Sequence, residues 1–159
     1  MLIAAIDENP IKAAKMLPDK HIVKLVTEAS MIISLAGRKW GFESRYQIKG
    51  YTNHPTVRWA RESIDNMMWL CLHAIAIEAE YCRRYGKKSH KGAEVTWNFI
   101  SQYMYLLKDS NYKEHTEFPL TMPEKYKNKD DRVGSYREYF SREKTWAKWK
   151  HGGKPEWWK

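Results

Sequence analysis

The chain has little with which to staple itself together. Only two cysteines, Cys71 and Cys82, stand among its 159 residues, which excludes the disulfide framework of a small secreted scaffold. Both fall inside one predicted helix, where about 16 Å of rise between them prevents a bridge. They are expected to be reduced, in an intracellular protein. Long hydrophobic runs are also missing: no stretch reaches the roughly 20 apolar residues of a membrane span, and the opening MLIAAIDENP lacks the basic segment and long apolar core of a secretion signal. A soluble chain with no membrane partner is the expectation. A glycine-rich phosphate loop, a G-x-S-x-G elbow, a Cys-x-x-Cys pair and a His-Glu-x-x-His helix are all absent. The histidines, at 21, 54, 73, 90, 115 and 151, lack metal-ligand spacing. Neither a metal nor another cofactor is expected. With no internal repeat, low-complexity tract or boundary signal, residues 1–159 read as a single domain, large enough to bury roughly two-thirds of its unfolded surface.

Negative charge is scarce. Asp and Glu number 19 against 28 Lys and Arg, a formal net charge of +9, which favours a polyanionic partner through phosphate contacts and counterion release. From Tyr136 onward the chain reads YREYFSREKTWAKWKHGGKPEWWK, in which cations interleave with Tyr, Phe and four tryptophans. Aromatic faces beside cations suit nucleic-acid bases better than lipid headgroups, because bases offer stacking surface as well as charge. Packing of Trp146 and Trp149 from a terminal helix onto the core is the competing reading. Trp157 and Trp158, beyond Gly152-Gly153 and Pro155, are harder to place in a helix core.

Helix signals dominate the rest. Asn9-Pro10 starts a short helix to about Met16, after a brief apolar piece at Leu2 to Ile6 that could be extended. Asp19, as N-cap, opens a helix ending at Gly37, and a glycine-containing loop runs from Arg38 to Tyr51. Asn53-His54-Pro55 starts the longest and most central helix, to about Tyr85 and Gly86. Another helix covers about Ala93 to Lys108. The stretch from Asp109 to Asp130, broken by Pro119 and Pro123, reads as a covering loop, and a last helix runs from Asp131 to about Trp149. The expectation is an all-α, compact bundle of about five helices with a long central helix and an irregular, basic and aromatic C-terminal tail.

The run Pro18 to Ala29 concentrates chemistry. Ile22, Leu25, Val26, Ala29, Ile32, Ile33 and Ala36 take the core-facing stripe at helical spacing. His21 and Glu28, two turns apart, project from nearly the same angle with Lys24 between them. Each has a plainer reading: Asp19 as a cap, His21 as a hydrogen-bonded first-turn histidine, Glu28 as the i,i+4 partner of Lys24. Arg58 and Arg61 likewise have Glu62 and Asp65 one turn on, as a solvated charged face would.

Asp19-Lys20-His21-Ile22-Val23 followed by Glu28 resembles the N-terminal motif of the phage endonuclease V family, the pyrimidine dimer DNA glycosylases with associated strand-nicking activity. The segment from His54 to Arg83-Arg84-Tyr85-Gly86 is similar to that family's central helix, and Trp146-Ala147-Lys148-Trp149-Lys150 with Gly153-Lys154 to its C-terminal DNA-contacting segment. The resemblance is strongest with short phage-encoded members that open with Asp-x-x-Pro, here Asp7-Glu8-Asn9-Pro10. It implies a catalytic set of Glu28, His21, Met1 and Asp19. The N-terminal amine would attack the sugar C1′ and form an imine, while Glu28 stabilises the cationic sugar and moves protons. An α-amine suits this task, since its reference pKa near ~8 leaves it substantially neutral at cellular pH, unlike a lysine near ~10.4. Lys24, His54, Arg58, Arg61, Lys144, Trp146, Lys148, Trp149 and Lys154 form the expected DNA-contacting set. The partner implied is double-stranded DNA with a damaged or modified pyrimidine, met by a monomer in the cytoplasm of a bacterial or phage-infected cell.

Two departures stand out. Family members with this chemistry expose a threonine amine after methionine removal, whereas Leu2 here predicts that Met1 is retained, and Thr27 replaces the arginine that precedes the family's glutamate. Two other classes therefore stay open beside the glycosylase: a different phage DNA-base-modifying enzyme on the same scaffold, with Glu28 and His21 as acid and base, and a noncatalytic DNA-binding or host-interaction protein.

Overall fold

In the computed structural model, which describes residues 1–46 and 48–158, Asn9 and Pro10 begin the first helix as their chemistry predicts. The Asn9 side-chain oxygen accepts from the amides of Ile11 and Lys12, both at 3.0 Å, and Pro10 takes the first turn of α1 (Pro10–Lys15). The second helix, α2 (Asp19–Gly37), starts one residue earlier than a capping Asp19 requires. Pro18, extended at ψ 156°, is the N-cap residue, and Asp19 is the first helical residue. Its side chain is thereby released for tertiary contacts.

The single long helix expected from residue 53 to residue 85 is two helices, α3 (Pro55–Glu62) and α4 (Ile64–Tyr85). Ser63 separates them in an extended conformation, and its hydroxyl accepts from the Asn66 amide at 3.1 Å to cap α4. Asn66, fully buried, donates to the Trp59 carbonyl at 2.7 Å and the Thr116 hydroxyl at 2.8 Å, and accepts from the Thr116 amide at 2.8 Å. These three bonds tie the break to the covering loop. A continuous helix would claim the Trp59 carbonyl for its own ladder. The C-terminus of α4 follows the prediction, with Gly86 in the left-handed region at φ 62°.

A 3₁₀ turn at Lys91–Ala93 leads into α5 (Glu94–Leu107). The last helix, α6 (Arg132–Glu143), is capped by Asp131 and ends at Glu143, short of the expected Trp149. The described residues thus contain six helices and no strand, an all-α fold whose extra helix comes from the break at Ser63. The apolar segment at Leu2–Ile6 is not a strand. None of the described helices is long and apolar enough to cross a membrane.

The helix α4 is central, packing against α1, α2, α3 and α5. The predicted α2 stripe is buried in full, from Ile22 to Ala36, in one continuous core that extends to Phe118, Tyr136 and Phe140. Trp157 and Trp158, hard to place from the sequence, pack against it: the Arg137 guanidinium lies 5.5 Å from the Trp157 ring, and Trp158 meets Trp149 at 4.8 Å. Cys71 is buried, Cys82 is half-buried, and both are free thiols.

Arg84 joins the pieces. Its side chain, with no exposed surface, donates to Glu80 at 2.9 Å, to Asp19 at 3.1 Å, and to the carbonyls of Leu17 and Lys15 at 2.7 and 2.8 Å. Central helix, the α1–α2 connection and the start of α2 are held by one guanidinium.

Candidate active site and nucleic-acid interface

Glu28 is the carboxylate at the centre of the site. The helical period places it on the line of His21 and Lys24, at the edge of the buried stripe, where its side chain keeps 14 % of its exposure. The expected pairing with Lys24 forms at 2.9 Å and uses one oxygen. The other oxygen accepts from the backbone amide of Leu2 at 2.8 Å. The first residues of the chain are thereby laid across α2.

A kink delivers them. Residues Ile3 to Ile6 are buried, and between them Ala4 adopts φ 51° with its carbonyl accepting from the Ile6 amide at 2.8 Å. A left-handed alanine costs roughly 1 kcal/mol or more, and burial of Ile3 and Ile6 offsets it. Among the described residues the Met1 amine forms no ion pair, and the group that holds Glu28 is the Leu2 amide. Within electrostatic reach of them is His54, the N-cap of α3, whose Nδ1 accepts from the Thr56 amide at 3.3 Å and lies 2.8 Å from the Thr56 hydroxyl. Its pKa falls below the ordinary histidine value, first through partial burial and then through the positive charge of the chain terminus, with Glu28 opposing. The chain terminus and Glu28 therefore both act electrostatically on His54.

His21 lies at the other end of the line. It is buried, stacked on Phe140 at 4.9 Å and tilted against Trp146 at 5.2 Å, and its Nδ1 has no partner among the described residues. Burial, reinforced by Lys144 and Lys24 and opposed by Glu28, holds its pKa at about 4. His73, buried beside Pro10 and bonded to its carbonyl at 2.8 Å, is also lowered to about 4 by burial. Both imidazoles are neutral in the folded chain but take up protons near pH 6.5 once unfolded. Stability is then full above pH 6.5 and falls as the pH drops from there toward 4, by up to about 3 kcal/mol for each histidine. Urea midpoints measured at pH 7.5, 6 and 5 should decrease in that order, and a His73→Asn chain should lose part of the decrease. A midpoint that does not move between pH 7 and 5 would show that neither imidazole is so held.

The C-terminal tail reaches this end of α2. Lys144 donates to the Tyr139 hydroxyl at 3.1 Å, and Lys20 lies over the exposed Trp146 ring at 5.2 Å. Asp19 anchors the stretch of tail that follows: its amide donates to the Lys148 carbonyl at 2.9 Å, and its carboxylate accepts from the Lys150 amide at 2.8 Å. Trp149 donates to the Met16 carbonyl at 3.0 Å. At Gly153 the approach is so close that a Cβ would stand 2.5 Å from the Lys15 carbonyl oxygen, in a backbone already at φ 91°. The structure thus gathers Met1, His21, Lys24, Glu28, His54, Lys144 and Trp146 along one face. Asp19 works beside them with both carboxylate oxygens engaged by Arg84 and Lys150, while Lys148 and Lys154 lie on the tail, both exposed.

A model of the pyrimidine dimer DNA glycosylase family matches residues 2–92, more than half of the chain. The chain belongs to the pyrimidine dimer DNA glycosylase family. Searches of curated proteins and of solved structures returned no match. Membership makes this a DNA-acting, glycosylase-like protein. The family match takes in Asp19, His21, Lys24, Glu28, His54, Arg58 and Arg61. Lys144, Trp146, Lys148, Trp149 and Lys154 lie beyond it, on the tail that docks against the matched part.

Arg58 and Arg61 differ from the sequence expectation. Among the described residues neither forms an ion pair. Their expected partners are engaged elsewhere: Glu62 accepts from the Thr116 hydroxyl at 3.2 Å, and Asp65 from the Ser110 hydroxyl at 2.9 Å and the Asn111 amide at 2.7 Å. Both arginines line a surface depression with Leu35, Arg38, Lys39 and Thr52.

For a glycosylase-like site, this arrangement has a carboxylate near solvent, a chain terminus beside it and flanking cations. Among the described residues no cluster of His, Cys, Asp and Glu is arranged to hold a metal. Sequence reasoning missed the Leu2 amide as a partner of Glu28 and Arg84 as the clamp. Glu80 and Arg84, four apart, have the pattern of an exposed helix pair, and only the α1–α2 connection and Asp19, packed over Arg84 with Gly153 beside them, bury it.

Proposed function

We propose that the chain is a DNA N-glycosylase with associated strand-cleaving lyase action on damaged or modified pyrimidines in double-stranded DNA. The observation that carries this reading is the 2.8 Å bond from the Leu2 amide to Glu28, which tethers the terminal residue to the carboxylate on the line of His21 and Lys24. The Met1 amine attacks C1′ of the target nucleotide as the bond from C1′ to the base breaks. The amine then loses a proton, the sugar ring opens to an imine, and β-elimination releases the 3′ phosphate. Glu28 opposes the positive charge that develops on the sugar and accepts protons from the amine and from C2′. His21 and His54 shape the site as neutral imidazoles, and Lys24, Arg58, Arg61, Lys144, Lys148 and Lys154 contact phosphates. Trp146 offers aromatic surface to the bent duplex, while Trp149, bonded to Met16 and packed on Trp158, seats the tail, and a lesion lowers the cost of extruding its nucleotide.

Borohydride reduction on an abasic-site or dimer-containing duplex tests the amine. The expected result is a covalent protein–DNA adduct, mapped by mass spectrometry to the first residue, that disappears when the terminus is acetylated. The intact mass of the chain shows at the same time whether Met1 is that residue. An adduct that survives blocking, or no adduct with any lesion, would overturn the amine mechanism.

A further inference from the structure

The cationic depression beyond Glu28 is built by two helices running side by side. The Lys39 ammonium, just past the end of α2, donates to the Glu62 carbonyl at the end of α3 at 3.3 Å, and His54 at the start of α3 is within electrostatic reach of Glu28 in the middle of α2. The helices α2 and α3 therefore keep the same direction. Along α2 the positions 24, 28, 35 and 38 form one line at helical spacing, and along α3 so do 54, 58 and 61. Arg38, Lys39, Arg58 and Arg61 face one shared groove with Leu35 at its floor. Arg38 and Lys39 are exposed and held by backbone carbonyls, Ile48 at 3.0 Å and Glu62 at 3.3 Å, so their charge is oriented without being neutralised. Among the described residues that line the groove, Glu62 is the one carboxylate, and it is committed to Thr116.

We infer that the groove formed by Arg38, Lys39, Arg58 and Arg61 holds the phosphate backbone of duplex DNA on one flank of the target nucleotide only, with the tail residues Lys144 and Trp146 serving the opposite flank. The inference rests on the DNA-acting reading of the Glu28 site and adds to it Arg38, Lys39 and a direction. The helix α2 is the ruler. His21, under Trp146, and Arg38 are separated by about 25 Å of helix rise, close to seven nucleotides at about 3.4 Å per step. Glu28 falls between them, about 15 Å from Arg38. The protein would therefore cover roughly four nucleotides on the groove side and fewer on the tail side.

The test is fluorescence anisotropy of the full chain on a duplex carrying an uncleavable tetrahydrofuran abasic analogue, with either flank cut back to about two base pairs in turn. Arg38 and Lys39 are exposed, so the double variant Arg38→Gln, Lys39→Gln should fold normally, which its melting curve checks. It should bind the full duplex about tenfold or more weakly near ~0.15 M salt, and the slope of log affinity against log salt should shrink by about 2, the value for two lost phosphate contacts. Cutting the flank that the groove serves should weaken the unsubstituted chain more than the variant, which keeps only Arg58 and Arg61 there. Cutting the other should weaken both. Affinity within twofold with an unchanged salt slope, equal sensitivity of the variant and the unsubstituted chain to each cut, or no duplex binding by the unsubstituted chain would each overturn the groove. Borohydride trapping by the unsubstituted chain separates the two ideas: trapping with an unchanged slope loses the groove and keeps the glycosylase, and asymmetric binding without trapping does the reverse.

Discussion

Replacing Glu28 by glutamine is expected to slow single-turnover strand cleavage at an abasic site by about 10²- to 10⁴-fold, the range for loss of a positioned acid–base group, while duplex affinity stays within a few-fold or rises. The geometry makes this substitution informative. A glutamine carbonyl can still accept from the Leu2 amide, so the terminus stays tethered, and Lys24, at 70 % side-chain exposure, is free to swing into solvent. On the proposed mechanism, what disappears is the negative charge opposite the cationic sugar and the proton acceptor that serves the amine. In the proposed reading, binding depends on cations elsewhere along the face, and removing an anion near phosphates should not weaken it. A Glu28→Gln chain that cleaves within about threefold of the original would leave Glu28 as the tether of the N-terminus and nothing more.

Replacing Arg84 by methionine is expected to cost about 3 to 5 kcal/mol of stability, the usual penalty for breaking a buried ion pair from one side, and to release the tail. Methionine fills much of the volume, so the loss is electrostatic. Glu80 would keep only Arg83, at 2.7 Å, and Asp19 only the Lys150 amide, while the carbonyls of Lys15 and Leu17 lose their donor. Lysine should not restore it, because a single ammonium cannot reach four acceptors in the plane of a guanidinium fork. Urea unfolding measures the first effect. Faster proteolysis after Lys144, Lys148 or Lys150 measures the second, and duplex binding should weaken with it because Trp146 and Lys148 lose their seat. A change below about 1 kcal/mol would mean that the network is not a clamp.

Much of this molecule was legible beforehand because its cues are local. Helix punctuation at Asn9-Pro10, His54-Pro55, Gly86 and Asp131, together with the α2 stripe, specifies where turns of helix can start, stop and face the core. Each depends on residues within about one turn of one another. The break at Ser63 was the missed boundary. Its signal, a serine three residues before Asn66, is short, and its stabilisation comes from Thr116, far along the chain. The end of α6 was overrun for the same reason, since residues beyond Glu143 leave the helix to dock on Asp19 and Met16.

The site divides along the same line. By itself the sequence determined the all-helical class, the excess of positive charge, and the line of His21, Lys24 and Glu28, because composition and the helical period suffice for those. Only the tertiary structure decided that Leu2 lies on Glu28, that Arg84 secures Asp19 and the tail, and that among the described residues Arg58 and Arg61 have no carboxylate partner. Those outcomes depend on which distant backbone amides and hydroxyls reach a carboxylate first. That competition is settled by packing, after the helices have formed.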